Sequence, residues 1–332
     1  MTKSLFIALF LFNPSIPGLI LPAVPNGIVR QPAYRSMKYA TRNEHAAISW
    51  QQEVRRKLLR VLKVRQFVLE NTPVPLNARV LSTRAINNYV MHDVEITSSP
   101  GRRIQIRVTI PVSAQIHPAV ICLAGHGHNR YQLYYRNPYR RFPSVLAERG
   151  YVTASVEVGQ HTVSQKHHTL TGERLLDLVR TVDYLYSLPK VDKKKIACAG
   201  LSLGGEMSMW LGAMDTRIAA VVSSGFLTTM KHLEQNPHCK CWNEAGLREL
   251  VDFSDIYSLI APRPLLLQIG RKEIQSAFPI SIAQPGFEEI RTIYGDLNVP
   301  GNVSLVAHPD GHVIDLPSLL TFFHKTLPVK NS

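Results

Sequence analysis

The chain has 332 residues, 45% hydrophobic and 19% charged, which excludes a disordered chain, since disorder needs low hydrophobicity and high charge. Its 19 glycines and 22 prolines follow no triplet period, which excludes collagen, and no repeat at solenoid or propeller spacing is visible. The net charge of +14 raises the question of anionic partners, but no zinc-finger or RNA-binding signature accompanies it, and no specific nucleic-acid partner is expected.

Lys3 precedes an apolar run, Leu5 to Phe12, of signal-peptide length and too short to span a bilayer. Asn13, Pro14 and Pro17 interrupt it before a second apolar stretch, Leu19 to Val24. The reading favours a secretory signal, hence a secreted or periplasmic protein, over a cytoplasmic chain with an apolar arm. No later segment is apolar for about 18 residues, so no integral membrane span is expected. Residues 13–45 are rich in Pro, Asn, Arg and Ser. They read as an extended arm, so residues 1–45 form an apolar segment plus arm.

Residues 46–70 place apolar side chains at helical spacing without Pro or Gly, which predicts one helix ended by Pro73 and Pro75. Arg55, Arg56, Lys57, Arg60, Lys63 and Arg65 alternate there with Leu58, Leu59, Val61 and Leu62, as on the wet side of an amphipathic helix. Tyr89–Ser98 and Arg103–Pro111 alternate about Pro100-Gly101 and predict an antiparallel hairpin. The helix and this edge hairpin make up residues 46–115.

From residue 116 to 328 short buried-strand runs alternate with helices. The strand candidates are 119–123, 152–158, 195–199, 218–222, 265–269 and 303–307. The helical candidates are 142–149, 172–187, 202–214, 286–294 and 316–327. This alternation predicts a mostly parallel sheet with helices on both faces, the hairpin adding antiparallel strands at one edge. Chemistry in such a sheet gathers at the carboxyl ends of the strands. Cys122 and Cys198 lie in strand runs and read as small core residues. Cys239 and Cys241 form a C-x-C beside His238. A closed zinc site needs four ligands and no second pair is evident, so no metal and no cofactor is expected.

The sharpest motif is Gly200-Leu201-Ser202-Leu203-Gly204, between a strand run and a helix run. G-x-S-x-G in that context is a nucleophile elbow: the serine sits on a strained turn, and glycines at minus two and plus two remove collisions. A serine hydroxyl needs a base. His312, in the loop His308-Pro309-Asp310-Gly311-His312 before the last helix, is favoured over His308. The acid should follow the penultimate strand, which points to Glu273, with a surface pairing to Arg271 or Lys272 as its bland alternative. Asp310 is a rival acid, and Asp252 and Asp255 look more like helix caps. The oxyanion donors would be the N–H groups of Leu203 and His126, the latter in the loop Ala124-Gly125-His126-Gly127-His128. Gly127, His128, Phe226 and Trp242 are candidate pocket residues, although packing is the commoner role for Phe226 and Trp242.

At these residues the chain resembles the α/β-hydrolase superfamily, and within it the acetyl xylan esterase-like and dienelactone hydrolase-like branch. The resemblance covers about residues 46–328. It rests on a W-x-x-E-x-R-x-K-L helix (Trp50, Glu53, Arg55, Lys57, Leu58), the G-H-G loop and the GLSLGGEM elbow. The segment SSGFLTTMKHLEQNPHCKCW, the strand IAPRPLLLQIG, Phe278-Pro279-Ile280 and the HPDGH loop add to it. The resemblance implies an α/β-hydrolase fold and a serine hydrolase of carboxylic esters, without metal or cofactor. Ser202, Glu273 and His312 would form its triad, with His126 and Leu203 at the oxyanion hole. The chain departs from the family where Ala124 replaces a histidine and where Glu273 stands for the usual aspartate, with a longer spacing to Phe278. The C-x-C fits the family pattern, which favours a structural loop. The expected substrate is a small-molecule or carbohydrate ester, acetyl on a sugar being the family expectation. A peptidase of the same fold is one alternative, although the residues ahead of the core are too few for the propeller such peptidases carry. A degenerate hydrolase fold that only binds is the other. Oligomeric state is not legible.

Overall fold

The computed structural model describes residues 34–40, 42–64 and 74–329. The expected signal segment and most of the arm lie outside these residues, as does the stretch 65–73.

Strand β1 (Arg79–Ile86), β2 (Tyr89–Ser99) and β3 (Arg102–Pro111) form an antiparallel meander. Strands β4 (His117–Leu123), β5 (Val152–Val156), β6 (Val191–Leu201), β7 (Ile218–Ser224), β8 (Leu265–Gly270) and β9 (Val303–His308) pair in parallel. β3 joins the two halves by pairing antiparallel with β5. The result is a nine-stranded sheet of order β1-β2-β3-β5-β4-β6-β7-β8-β9.

Side-chain alternation along each strand feeds two cores. On β4, Ala119, Ile121 and Leu123 enter one apolar cluster, and Val120 and Cys122 enter the other. The first cluster is covered by α1 (Glu44–Val61), α3 (Leu170–Ser187), α4 (Leu203–Met214), α7 (Phe253–Ser258) and α8 (Ile280–Asp296). The second is covered by α2 (Phe142–Glu148) and α9 (Leu316–Thr326). Between β7 and β8 the chain inserts short helices α5 (Met230–Glu234) and α6 (Leu247–Leu250) and a 3-10 turn at Lys240–Trp242. Cys122 and Cys198 are buried core residues, as expected. Asp252 and Asp255 form a capping box on α7, also as expected. Among the described residues no helix is long and apolar enough to cross a membrane.

Three elements differ from the sequence expectation. β1 was not expected, because nearly all of its residues are exposed and its pattern has no buried face. α1 ends at Val61, well before residue 70, because Lys63 takes φ 56° and the Val64 N–H turns back to the Leu59 carbonyl. α8 starts at Ile280 and carries Pro285 inside it, so the proline does not mark its start.

Candidate active site

β6 ends at Leu201 and α4 begins at Leu203, so Ser202 alone makes the turn. It sits at φ 60°, ψ −122°, a region that costs a non-glycine residue about 1–3 kcal/mol. Its surroundings impose the conformation. The Ser202 N–H donates to the Ser224 carbonyl at 2.8 Å, and its own carbonyl accepts from the Glu206 N–H at 2.9 Å. A Cβ at Gly200 would meet the Gly204 carbonyl oxygen at 2.3 Å, and one at Gly204 would meet that of Leu123 at 2.3 Å. Both motif glycines are therefore steric requirements of the turn.

β7 connects this turn to the second half of the site. Gly225 follows Ser224 at φ +59°, and a Cβ there would stand 2.9 Å from His312 Nδ1 and 3.2 Å from Glu273 Oε1. Two consecutive residues thus touch Ser202 and the His312–Glu273 pair. Glu273 follows β8 and His312 follows β9, both at carboxyl ends of the sheet. His312 Nδ1 is hydrogen-bonded to Glu273 Oε1. With Nδ1–H donating to the carboxylate, Nε2 is the basic nitrogen. The Glu273 side chain is 1% exposed and that of His312 is 23% exposed, so the carboxylate is shielded and the imidazole is reachable. Phe278 lies parallel to the imidazole, 5.6 Å between centroids, and fixes its plane.

The other residues singled out in the sequence sit elsewhere. Asp310 pairs with Arg140 at 3.2 Å on the surface. His308 is buried at the end of β9, where its carbonyl accepts from the Arg271 N–H. Glu273 is buried and bonded to His312, so the surface pairing with Arg271 or Lys272 is not its role.

The loop after β4 supplies the third side. A Cβ at Gly125 would lie 3.2 Å from Ser202 Cβ, which places this loop against the elbow. The Gly125 N–H donates to the Tyr139 hydroxyl at 2.9 Å, and His128 Nδ1 lies 2.6 Å from the same oxygen. His128 therefore braces the loop through Tyr139. Gly127 is exposed. The next peptide N–H after Gly125 is that of His126, and Leu203 opens α4, where helix N–H groups lack intrahelical partners. Phe226 is buried in the core and packs on Phe253 and Phe278. Trp242, half-buried, meets His126 at 5.0 Å and Phe278 at 5.8 Å between centroids. A chain of rings thus runs from the loop after β4 to the base.

Several contributors were not legible. Tyr139 follows no motif, and although Gly225 and Phe278 lie in segments that carry the resemblance, nothing in those segments places either one against His312. Burial lowers His126 to about 4, so its imidazole is neutral. It also pushes Glu206 up to about 7. The C-x-C cysteines do have companions: one ligand atom each from His126, His161, Cys239 and Cys241 lies within 4.8 Å of all the others. Two histidines distant in sequence thus stand beside the C-x-C, a neighbourhood that spacing alone does not reveal.

Fold and site define an α/β-hydrolase-fold protein with a serine elbow and a buried His–Glu pair at the carboxyl edge of its sheet. A sequence model of the prolyl oligopeptidase family matches residues 139–257. The carbohydrate esterase MZ0003, from an unknown prokaryotic organism, is 32% identical over 110 residues, covering 28% of this chain and 26% of that protein. The chain spans about a third or less of the length of the curated relatives it matches. Methylesterase BT1017 shares the fold with a TM-score of 0.70 at 21% identity, over 87% of this chain and 65% of that one. Acetyl Xylan Esterase 1 from Thermoanaerobacterium sp. shares it with a TM-score of 0.58 at 16% identity, over 82% of this chain and 92% of that one. At these identities the structural likeness is one of fold.

Proposed function

We propose that the chain is a serine hydrolase of carboxylic esters that works through an acyl-enzyme, with a short acyl group such as acetyl on a carbohydrate or small alcohol as its substrate. The observation that carries this reading is the strained Ser202 turn, joined through Ser224 and Gly225 to the buried His312–Glu273 pair. Ser202 Oγ attacks the ester carbonyl while His312 Nε2 takes its proton. Glu273 holds the ring and stabilises the imidazolium. The oxyanion accepts from the N–H groups of His126 and Leu203, each such donor contributing about 3 kcal/mol. The alcohol leaves with the proton from His312, and a water repeats the sequence on the acyl-enzyme. Half-buried Trp242, backed by Phe278, gives the acyl or sugar group an apolar wall. The esterase names of the relatives favour a carbohydrate ester, and the N-terminal apolar run favours a secreted or periplasmic location.

The prolyl oligopeptidase match favours a second reading, a peptidase using the same residues. The test is turnover of acetylated xylo-oligosaccharides, short-chain acyl esters and peptide amides by the purified protein, with Ser202→Ala as control. Acetate release that vanishes in the variant is the expected result. Peptide cleavage without ester turnover would replace the proposal with the second reading.

A further inference from the structure

One group of side-chain donors among the described residues is not used by the ester hydrolysis proposed above, to which His126 contributes only its backbone N–H. His126 stands in the loop after β4, His161 in the segment between β5 and α3, and Cys239 and Cys241 in the insert between β7 and β8. Their four ligand atoms all lie within 4.8 Å of one another. His126 Nε2 is 2.9 Å from Cys241 Sγ, and the His126 and His161 rings are 5.5 Å apart. We propose that these four side chains bind one zinc(II) ion in a closed Cys2His2 site that clips the insert to the loop after β4.

The donor chemistry selects the ion. Two thiolates and two imidazoles suit zinc, whereas calcium and magnesium take oxygen ligands, and the group contains no carboxylate. Zinc–sulfur and zinc–nitrogen bonds of about 2.3 and 2.0 Å put tetrahedral ligand atoms about 3.3–3.8 Å apart. A spread of 4.8 Å or less reaches that arrangement by small side-chain rotations. The surroundings also fit. Trp242 packs edge-on against His126 and screens the group, while exposed His161 leaves a way in. The buried guanidinium of Arg174 lies within reach of Cys241, and among the described residues its Nε and Nη1 have no other hydrogen-bond partner. Zinc-bound thiolates would give those N–H groups acceptors, as outer-shell donors commonly do.

Four protein ligands leave no open position, so the ion is structural. Its effect on the neighbouring chemistry is positional: it fixes the loop whose His126 N–H faces the oxyanion and holds Trp242 over the site. The C-x-C then has a role that a loop alone does not require.

The test is elemental analysis of the full chain purified without chelator, followed by exchange of the ion for cobalt(II). The expected result is one zinc per chain and, with cobalt, thiolate-to-metal charge transfer and the intense d–d bands of a tetrahedral site. Cys239→Ser with Cys241→Ser should abolish both. His161→Ala removes an exposed ligand, leaves folding intact by circular dichroism, and should weaken zinc retention against a chromophoric chelator by about tenfold or more. Folded protein with free thiols at Cys239 and Cys241 that takes up no cobalt would overturn the proposal. So would a Cys239–Cys241 disulfide in metal-free native protein. Metal content and cobalt spectra do not depend on ester turnover, so this inference and the hydrolase reading fail separately.

Discussion

A methyl group on Gly225 would press on the His312 ring from 2.9 Å, at a residue whose φ is already +59°. Gly225→Ala is therefore expected to tilt the base more than it unfolds the protein. A displacement near 1 Å at a reacting group costs about 100-fold, so kcat on a short-chain ester should fall by about that factor while the melting temperature drops by a few degrees. Unchanged kcat would mean that the ring is not held where the structure places it. Glu273→Gln keeps the shape of the acid but removes its charge and allows the wrong imidazole tautomer, so kcat should fall by about 10⁴-fold. A loss below tenfold would return the acid role to another residue. Ser202 and Glu273 were readable because each occupies a fixed place relative to a strand end. Gly225 was not, because a glycine after a strand does not say which side chain will pack on it.

The short segment 34–40 is tied to the helices by charge. Arg35 forks between Asp255 on α7 at 2.5 Å and Glu289 on α8 at 2.7 Å, and Tyr39 donates to Asp296 at 2.7 Å. Asp255 is only 1% exposed, so removing Arg35 leaves a buried carboxylate without its partner. Breaking such a pair from one side costs about 3–5 kcal/mol. Arg35→Met should therefore lower the urea midpoint by the equivalent of about 3 kcal/mol. A change under 1 kcal/mol would show that Asp255 is satisfied by its backbone partners alone. This tie could not be read from sequence, since the segment carries no periodicity and its partners lie more than 200 positions away. The parallel strands and crossing helices were legible for the opposite reason: burial on both faces writes short apolar runs into the sequence. β1 was hidden because it joins the sheet by backbone pairing with β2 while its side chains stay exposed, and the end of α1 because its left-handed turn falls on Lys63 and not on a glycine.

Across the whole molecule, charge placed in the interior makes stability depend on pH. Burial holds the Glu206 carboxyl at about 7, above its ordinary 4.5. The folded state therefore binds this proton more tightly than the unfolded state. Its stability should decline as pH rises from about 4.5 to about 7 and then level off, by up to about 3 kcal/mol. Glu206→Gln keeps an oxygen for the Trp210 N–H, which Glu206 now accepts at 3.2 Å, and removes the titration. The variant should gain stability over the parent as pH rises from 5 to 8 in urea unfolding. Parallel pH profiles would show that Glu206 stays ionised in the fold. The overall architecture was foreseeable because its alternation of strands and helices is dictated by hydrophobic burial. The interior charges and the donor group from three loops were not, because they depend on which segments the fold brings together.

The most direct test of the nucleophile is reaction of the intact protein with a fluorophosphonate probe, with the adduct located by mass spectrometry. The account predicts one adduct on Ser202, absent in Ser202→Ala and slowed strongly in Glu273→Gln. Folded protein that forms no adduct, or forms it on another residue, would contradict it.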